Sequence, residues 1–354
     1  MKKSLKRVIA ASAIAILGAA VLAVGTSADA AAKKVKELKI SFIPSKNPSD
    51  ITTATKGLDS LLIKELKKQG YSVSKVSVST GTDYNAVGKA LSAGTVDVGW
   101  GVSGGTYAAY SKGASAILTA TRKGLNNDDL KNTKNATSPK YWNDHKPTRP
   151  TNEEVTSYRG LIIAGNSEVG KKMAEYVNEG KKIPLDLIKK AKWGLSSTTS
   201  AAGYLYPSEW LTKNYKISIR DLPNTVTGLD YGTATSDLAS GTVDVIAGYA
   251  DLRQDFEKAW TTTNHATDTI WNQTNVIGVT DEIYNDAVLV SKNSANIKKY
   301  PGLKKALQKA IINLSKTEKG KSIIKVYSHD GYKKSKASNY EPFFKILKDV
   351  AKEN

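Results

Sequence analysis

Apolar positions along the first part of the chain recur in two alternating periods, which predict strands and helices in turn. Alternating or continuous apolar residues predict strands at ELKISFIP (37–44), YSVSKVSV (71–78) and TVDVGWGV (95–102). LDSLLIKELKKQG (58–70) and YNAVGKALSAG (84–94) carry apolar residues at helical spacing and end at glycine, so each predicts a helix. The resulting β-α-β-α-β order is typical of an α/β domain with a mainly parallel sheet.

The same alternation continues through the rest of the chain. Strands are predicted at SYRGLIIA (157–164) and DAVLVSK (286–292), and KKAKWGLSS (189–197) leads into a further predicted strand. Helices are predicted at residues 201–215, 226–241, 302–316 and 340–353. Residues 123–156 are polar, contain prolines and are poor in aliphatic side chains, which predicts a long surface insertion.

One phrase occurs twice in the chain. LSAGTVDVGW (91–100) and LASGTVDVIAGY (238–249) share the sequence Gly-Thr-Val-Asp-Val after a small-residue turn. Each copy combines a predicted helix, a glycine turn and a buried strand. The repeat therefore predicts two similar α/β lobes, and two lobes leave a cleft between them.

The first thirty residues have the pattern of an export signal. A basic start is followed by the apolar run VIAASAIAILGAAVLAV (8–24) and by Ala28-Asp29-Ala30, an A-x-A cleavage pattern. We expect a signal peptide over residues 1–30, cleaved after Ala30, and an exported mature protein at the cell surface, in the periplasm or outside the cell. An uncleaved membrane anchor is the alternative, since the apolar run is at the lower limit of a membrane span.

Charge and cysteine content narrow the possible partners. The net charge is +19, and removal of the first thirty residues leaves +16, which favours polyanions such as those of cell walls and steers anionic ligands. No nucleic-acid-binding module is recognisable, so nucleic acid is not expected as a partner. The chain has no cysteine, which excludes disulfides and a lipid-acylated thiol anchor.

Five consecutive hydroxyl residues, SSTTS (196–200), lie between a predicted strand and a predicted helix. Hydroxyls and free backbone N–H groups at a helix N-terminus form an anion-binding nest, which suits a tetrahedral oxyanion. An ordinary Ser/Thr helix cap in a polar loop is an equally good interpretation of this stretch.

Several motifs, taken in order, resemble the phosphonate-, phosphite- and phosphate-binding proteins of ABC importers, often called PhnD-like. They are SFIPSKNPSD (41–50), TDYNAVGKALSAGTVDVGWG (82–101), the serine-rich turn before GYLYP (203–207), and GTVDVIAGYAD (241–251). The resemblance spans roughly residues 37–330, apart from the insertion at 123–156.

The resemblance implies a two-lobed periplasmic-binding-protein fold of type II, each lobe with a mainly parallel sheet flanked by helices. Lobe 1 is expected at residues 37–164, including the insertion, and lobe 2 at residues 165–281. Residues 282–354 are expected to return to lobe 1 and to form the C-terminal helices.

The resemblance also implies a set of ligand-binding residues: Tyr84, Tyr158, Thr198, Thr199, Ser200, Tyr231, Asp251 and Asp286. Ser200 matches the family's hydroxyl cluster directly, whereas the two threonines could take part only if the loop is rearranged. The chain departs from the family at Ala201 and Ala202, where members usually have Ser or Thr. The two aspartates would meet a ligand ammonium or a protonated oxygen, or else serve as helix caps or surface charges.

We expect an exported solute-binding protein that captures a phosphonate or related phosphorus oxyanion in the interlobe cleft and presents it to an ABC permease. No cofactor, metal or catalytic residue is expected, because His145, His265 and His329 lack metal-ligand spacing and no nucleophile motif is present. Three alternatives remain open: a binding protein for another small anion, a cleft hydrolase with paired carboxylates, and a basic wall-binding surface protein.

Overall fold

The computed structural model describes residues 32–129 and 132–352. The predicted signal peptide and its cleavage site after Ala30 therefore lie outside the described residues. Among the helices of the described part, none is long and apolar enough to cross a membrane.

The strands are, in chain order, β1 Lys33–Val35, β2 Leu38–Phe42, β3 Tyr71–Val73, β4 Val76–Thr80, β5 Val98–Val102, β6 Ala114–Leu125, β7 Pro150–Val155, β8 Ser157–Ala164, β9 Trp193–Gly194, β10 Thr225–Val226, β11 Val245–Tyr249, β12 Asn275–Tyr284, β13 Ala287–Ser291 and β14 Gly331–Lys334.

The α-helices are α1 Pro48–Ala54, α2 Leu58–Lys67, α3 Tyr84–Ala93, α4 Gly104–Tyr110, α5 Thr133–Ala136, α6 Pro139–Asp144, α7 Glu168–Asn178, α8 Leu185–Lys190, α9 Tyr206–Tyr215, α10 Tyr231–Ser240, α11 Leu252–Thr262, α12 Ile270–Gln273, α13 Ala295–Lys299, α14 Leu303–Leu314, α15 Glu318–Ile324 and α16 Glu341–Lys352. A π-helical segment, Ala201–Leu205, runs directly into α9. Every helix predicted from the sequence is present, with ends shifted by a few residues.

Two sheets form the framework of the two lobes. The first has the strand order β14-β6-β13-β5-β2-β4, with β7 paired to β6, and the second has the order β10-β9-β11-β8-β12. The strands β5 and β8 are buried along their whole length, which explains their continuous apolar sequence. The expected α/β fold with helices packed on two sheets is confirmed.

The sheets are mixed, so the expectation of mainly parallel sheets is wrong. Strand β2 pairs in parallel with β4 and β5, but β13 runs antiparallel to β5 and β6, and β8 runs antiparallel to β11 and β12. The physical reason is that the chain crosses between the sheets twice, before β8 and after β12. Since β8 leaves this junction and β12 returns to it, the two neighbouring strands must run in opposite directions.

The two crossings place the boundaries between the lobes at residues other than those expected from the sequence. Strand β8 pairs with β11 and β12, so it belongs to the second sheet and not to the first lobe, where the boundary at 164/165 placed it. Strand β12 stays in the second sheet up to Tyr284, beyond the boundary expected at 281/282. A continuous apolar run indicates a buried strand but does not indicate which sheet the strand joins. The sheet is determined by strand pairing, which involves residues distant in sequence.

The repeated phrase has a structural explanation. Gly94 and Gly241 end α3 and α10 in the left-handed region, with φ of 81° and 74°, where glycine avoids the strain of a side chain. In each lobe the repeated aspartate then precedes a buried strand and accepts a hydrogen bond from a neighbouring backbone N–H: Asp97 from Lys39 at 2.7 Å, and Asp244 from Lys192 at 2.8 Å.

The same two aspartates also hold the start of another helix. Asp97 accepts from the hydroxyl of Ser294, which caps α13, and Asp244 accepts from the hydroxyl of Ser167, which caps α7, at 2.6 Å. Each copy of the phrase thus joins a strand, its neighbour and a helix N-terminus in its own lobe.

The described residues of the stretch 123–156 contain regular secondary structure. They form the end of β6, the helices α5 and α6, and β7. Asn143 pairs its side-chain amide with the backbone N–H and carbonyl of Val276 at 2.7 and 3.0 Å, and Trp142 is fully buried. The insertion is therefore anchored to the second sheet by a few large or amide side chains rather than by aliphatic ones.

We predict that Trp142→Ala lowers the free energy of unfolding by about 3–5 kcal/mol, the usual cost of truncating a buried tryptophan. The indole also donates to the carbonyl of Ala136 at 2.8 Å, and that acceptor would lose its partner. Urea unfolding measures the change, with Lys140→Ala as the control. Lys140 pairs with Asp144 on the surface of the same helix, and its loss should cost less than about 1 kcal/mol. Equal effects of both substitutions would contradict this account of the insertion.

Candidate functional site

A cavity of about 20 Å³ lies where the two sheets meet. Its polar lining is dominated by hydroxyl groups from both lobes: Ser45, Tyr84, Ser103, Tyr158, Ser200, Tyr231, Tyr249 and Tyr327. The charged groups in its lining are Lys46, Arg122 and Asp286. The cavity is therefore rich in hydrogen-bond donors and carries both signs of charge.

The starts of the two repeat helices face this cavity. Tyr84 is the first residue of α3, after the cap Asp83, and Tyr231 is the first residue of α10, after the cap Asp230. Both tyrosines are buried and line the cavity. The positive ends of both helix dipoles are thus directed towards the cavity, and such ends favour negative charge.

Ser200 opens a third helix at the same place. Its hydroxyl accepts from the N–H of Gly203 at 3.3 Å and lies 3.2 Å from the hydroxyl of Tyr231. Ala201 and Ala202 follow it in the cavity wall, at the start of the helix, where backbone N–H groups have no partner within the helix. Neither alanine carries a hydroxyl, so backbone N–H groups are the donors that this part of the wall offers.

Arg122 supplies a buried positive charge. Its guanidinium lies 3.4 Å from the carboxylate of Asp286 and over the rings of Tyr158 and Tyr249, at 4.7 and 5.3 Å from their centroids. Burial opposes its charge, but Asp286 and the two tyrosines raise the pKa of Arg122, so it stays protonated. Its Nε has no hydrogen-bond partner among the described residues, which leaves a donor available.

Lys46 adds a second cation at a contact between the lobes. Its ammonium lies 2.7 Å from Asp255, which also accepts from the hydroxyls of Tyr249 at 2.6 Å and Ser328 at 2.9 Å. Burial acts to raise the pKa of Asp255, but Lys46 and the two hydroxyls outweigh it and lower that pKa. Lys46 and Ser328 belong to the first lobe and Asp255 to the second, so this network joins the lobes beside the cavity.

The tyrosines act as neutral donors. Burial raises the pKa of Tyr231 to about 12, with Asp286 adding to the effect. Burial also raises the pKa of Tyr84 and of Tyr158 well above the ordinary value, and Asp286 raises both further. Each hydroxyl therefore keeps its proton at neutral pH and can donate it to an anionic oxygen.

The structure brings five of the eight expected ligand residues to the cavity: Tyr84, Tyr158, Ser200, Tyr231 and Asp286. Thr198 is exposed at the surface. Thr199 is buried, and its hydroxyl lies 3.1 Å from that of Thr106 and 3.4 Å from the Asn85 amide oxygen, so it joins the lobes instead of lining the cavity.

Asp251 lies outside the cavity. Its carboxylate binds the guanidinium of Arg253 through two hydrogen bonds of 2.9 and 2.8 Å, accepts from Thr148, and caps α11. Both charged side chains of this pair are fully buried. A carboxylate whose oxygens are occupied in this way is a helix cap and an insertion anchor.

Six polar side chains of the cavity were not expected from the sequence: Ser45, Lys46, Ser103, Arg122, Tyr249 and Tyr327. Arg122 ends the alternating stretch ILTATR (117–122), where a charge on an otherwise apolar strand was a usable signal. Lys46 lies in a loop and Tyr249 ends the second repeat strand, and neither position differs from ordinary surface or core residues in sequence. Among the described residues, no group of His, Asp or Glu side chains is arranged to hold a metal ion.

Residues 40–340 match the sequence family described as ABC transporter, phosphonate, periplasmic substrate-binding protein. The chain belongs to this family. It is therefore the substrate-binding component of an ABC transporter, a class of transport protein and not of enzymes. The family expected from the motifs is confirmed.

Solved structures share the fold at low sequence identity. The binding component of an ABC phosphonate transporter from Pseudomonas aeruginosa is 12% identical, with a TM-score of 0.61 over 89% of this chain and 87% of that one. PhnD1 from Prochlorococcus marinus in complex with methylphosphonate is 17% identical, with a TM-score of 0.61 over 90% and 99%. XAC2383 from Xanthomonas citri bound to ATP is 12% identical, with a TM-score of 0.61 over 90% and 99%. No curated protein matches the sequence. The type II periplasmic-binding-protein fold is confirmed.

His329 packs behind the acidic group of the cavity. Its Nε2 lies 3.7 Å from Asp286 and its Nδ1 lies 3.1 Å from the hydroxyl of Tyr332. Burial lowers the pKa of His329 below its ordinary value, and the nearby cations Arg122 and Lys46 lower it further, although Asp286 opposes them. The imidazole is therefore neutral at neutral pH.

We predict that His329 makes the fold less stable on acidification. The unfolded chain takes up its proton near an ordinary pKa of about 6.5, whereas the folded chain does so only at lower pH. Stability should fall as the pH drops through about 6.5, by at most about 1.4 kcal/mol per pH unit. His329→Gln should flatten this slope in urea unfolding, while the exposed control His145→Gln should retain it. An unchanged slope in the first variant would contradict the assignment.

Proposed function

We propose that the protein captures a phosphorus oxyanion, a phosphonate or a close relative, in the cavity between its lobes and presents it to an ABC permease. The observation that carries this proposal is the meeting of Arg122 with three helix N-termini and a set of neutral hydroxyls in one buried cavity. A tetrahedral anion with three oxygens can accept from such a donor set on several sides at once.

The position of Asp286 favours phosphorus over sulfur. A carboxylate in the cavity wall repels a fully ionised oxyanion but accepts a hydrogen bond from a protonated ligand oxygen. Phosphonate and phosphate carry such a proton near neutral pH, whereas sulfate does not. Asp286 is also paired with Arg122, which leaves the cavity without an uncompensated negative charge.

Ligands of the structural neighbours fit this chemistry. Methylphosphonate and ATP, the molecules bound by two of them, differ greatly in size but share the phosphorus oxyanion. The two neighbours are only 12% and 17% identical to this chain, and the proposed ligand class rests on the donor groups that line the cavity.

Contacts across the cleft support capture by closure of the lobes. The Ser103 hydroxyl donates to the Thr199 carbonyl at 2.8 Å, and a Cβ added at Gly105 would lie 2.4 Å from the same oxygen. These contacts describe a closed form, whose shape a permease can distinguish from an open one. Export through the predicted signal peptide, and retention near polyanionic walls through the +16 charge, complete the proposal.

Calorimetric titration of the refolded mature protein tests the ligand class. The panel is methylphosphonate, phosphite, phosphate and sulfate, with Tyr84→Phe compared to the wild type. We expect one or more phosphorus anions to bind and sulfate to bind far more weakly. Loss of the Tyr84 hydroxyl, a donor to a charged group, should weaken binding roughly tenfold or more.

Tyr300→Phe is the matched control, because the Tyr300 hydroxyl donates to the Lys34 carbonyl away from the cavity. This variant should bind like the wild type. Binding of sulfate alone, or no binding of any phosphorus anion, would overturn the proposed ligand class.

A further inference from the structure

A second and much larger chamber, about 570 Å³ in volume, adjoins the anion cavity. Arg122, Tyr158 and Tyr249 line both spaces, so a molecule held at the guanidinium can reach into either. The cavity of about 20 Å³ leaves no room for a ligand substituent, whereas the chamber falls within the range of about 300–1,000 Å³ that is usual for small-molecule sites.

The walls of this chamber come from three parts of the chain. One wall is the insertion, with Leu125, Pro150 and Val155 as its apolar face. A second wall is formed by the second lobe, at Ala250 and Gln254, and the third by the C-terminal end of α15. The insertion wall thus has an apolar face beside two charged side chains, Lys123 and Asp128, and the α15 wall is polar. The sequence of the insertion did not indicate that it lines a chamber.

The carboxylates of the chamber are all neutralised by partners. Asp128 pairs with Arg159 at 2.8 Å, and Asp330 pairs with Lys123 at 3.1 Å. The other two, Asp251 and Asp255, pair with Arg253 and Lys46 as described above. These pairs leave no carboxylate free to hold a ligand ammonium.

The chamber also presents cations. Lys321 and Lys325 lie four residues apart, hence on one face at the end of α15, and both line the chamber. Neither makes an ion pair with any described residue, and both are exposed. Their charges are available to a ligand group that reaches this wall.

We propose that the ligand is an organophosphorus anion whose substituent fills the chamber and ends in a second negative group near Lys321 and Lys325. This inference rests on the proposed function, since the phosphorus group is taken to bind at Arg122. The apolar insertion wall accommodates the carbon chain, and the lysines of α15 attract the distal anion. A ligand with a distal ammonium would be repelled by these lysines and would find no unpaired carboxylate to bind it.

A series of phosphonates with one common head group tests the inference by calorimetry: methylphosphonate, propylphosphonate, 3-phosphonopropionate and 2-aminoethylphosphonate. Affinity should rise from methyl to propyl, by up to roughly fourfold for each buried methylene. It should rise again for 3-phosphonopropionate, which replaces the terminal methyl of propylphosphonate with a carboxylate. The aminoethyl compound should bind more weakly than propylphosphonate.

Two variants locate the substituent. Ser322→Trp places a large side chain on the chamber wall and should weaken propylphosphonate and 3-phosphonopropionate but not methylphosphonate. Lys319→Trp, at an exposed position of the same helix that does not line the chamber, is the matched control. The double variant Lys321→Gln with Lys325→Gln should remove the advantage of 3-phosphonopropionate over propylphosphonate, a loss of roughly two- to tenfold.

The outcomes separate the two proposals. If no phosphonate binds, the proposed function fails. If methylphosphonate binds as tightly as the longer ligands, or if Ser322→Trp affects all of them equally, the oxyanion site stands and the chamber proposal is overturned. Tightest binding of the aminoethyl compound would likewise overturn it.

Discussion

The burial of one cation, Arg122, at the junction of the two sheets constrains the rest of the site. A guanidinium removed from water needs a counter-charge, which Asp286 supplies, and aromatic faces, which Tyr158 and Tyr249 supply. Tyr158 and Asp286 lie beside the two chain crossings, and Tyr249 ends the second repeat strand. The two lobes must therefore meet here if the buried charge of Arg122 is to be compensated. One guanidinium nitrogen still lacks a partner among the described residues, which makes an anion a natural addition to the cluster.

The internal repeat explains how two lobes produce one site. In each lobe, a tyrosine opens the repeat helix behind an aspartate cap, and the two tyrosines, Tyr84 and Tyr231, face the same cavity. The repeated Gly-Thr-Val-Asp-Val phrase sets the position of that helix by fixing its glycine end and the following strand. Family membership as a transporter's binding component agrees with this geometry, because the cavity is lined by residues of both lobes.

Much of the fold could be predicted from local patterns in the sequence, whereas four of the five expected residues that line the cavity were implied by the family resemblance: Tyr84, Tyr158, Tyr231 and Asp286. Apolar periodicity located the helices, and the hydroxyl run before a helix located Ser200. Arg122 is marked in the sequence as a charge on an otherwise apolar strand, but its partners are not, since they come from the pairing of β6 with strands distant in sequence. Asp251 was assigned to the cavity by motif, yet the motif carries no information on Arg253, which occupies its carboxylate. The anchoring of the insertion could not be predicted, because it depends on Trp142 and Asn143 and not on aliphatic residues.

The most direct test of the central claim is a crystal structure of the mature protein with methylphosphonate. The account predicts the phosphorus atom between Arg122, Ser200 and Tyr231, with the phosphonate oxygens bound by groups of both lobes. The Asp286 carboxylate should lie within hydrogen-bond distance of one of those oxygens. A phosphonate bound to one lobe alone, or to surface lysines without contact to Arg122, would contradict the account.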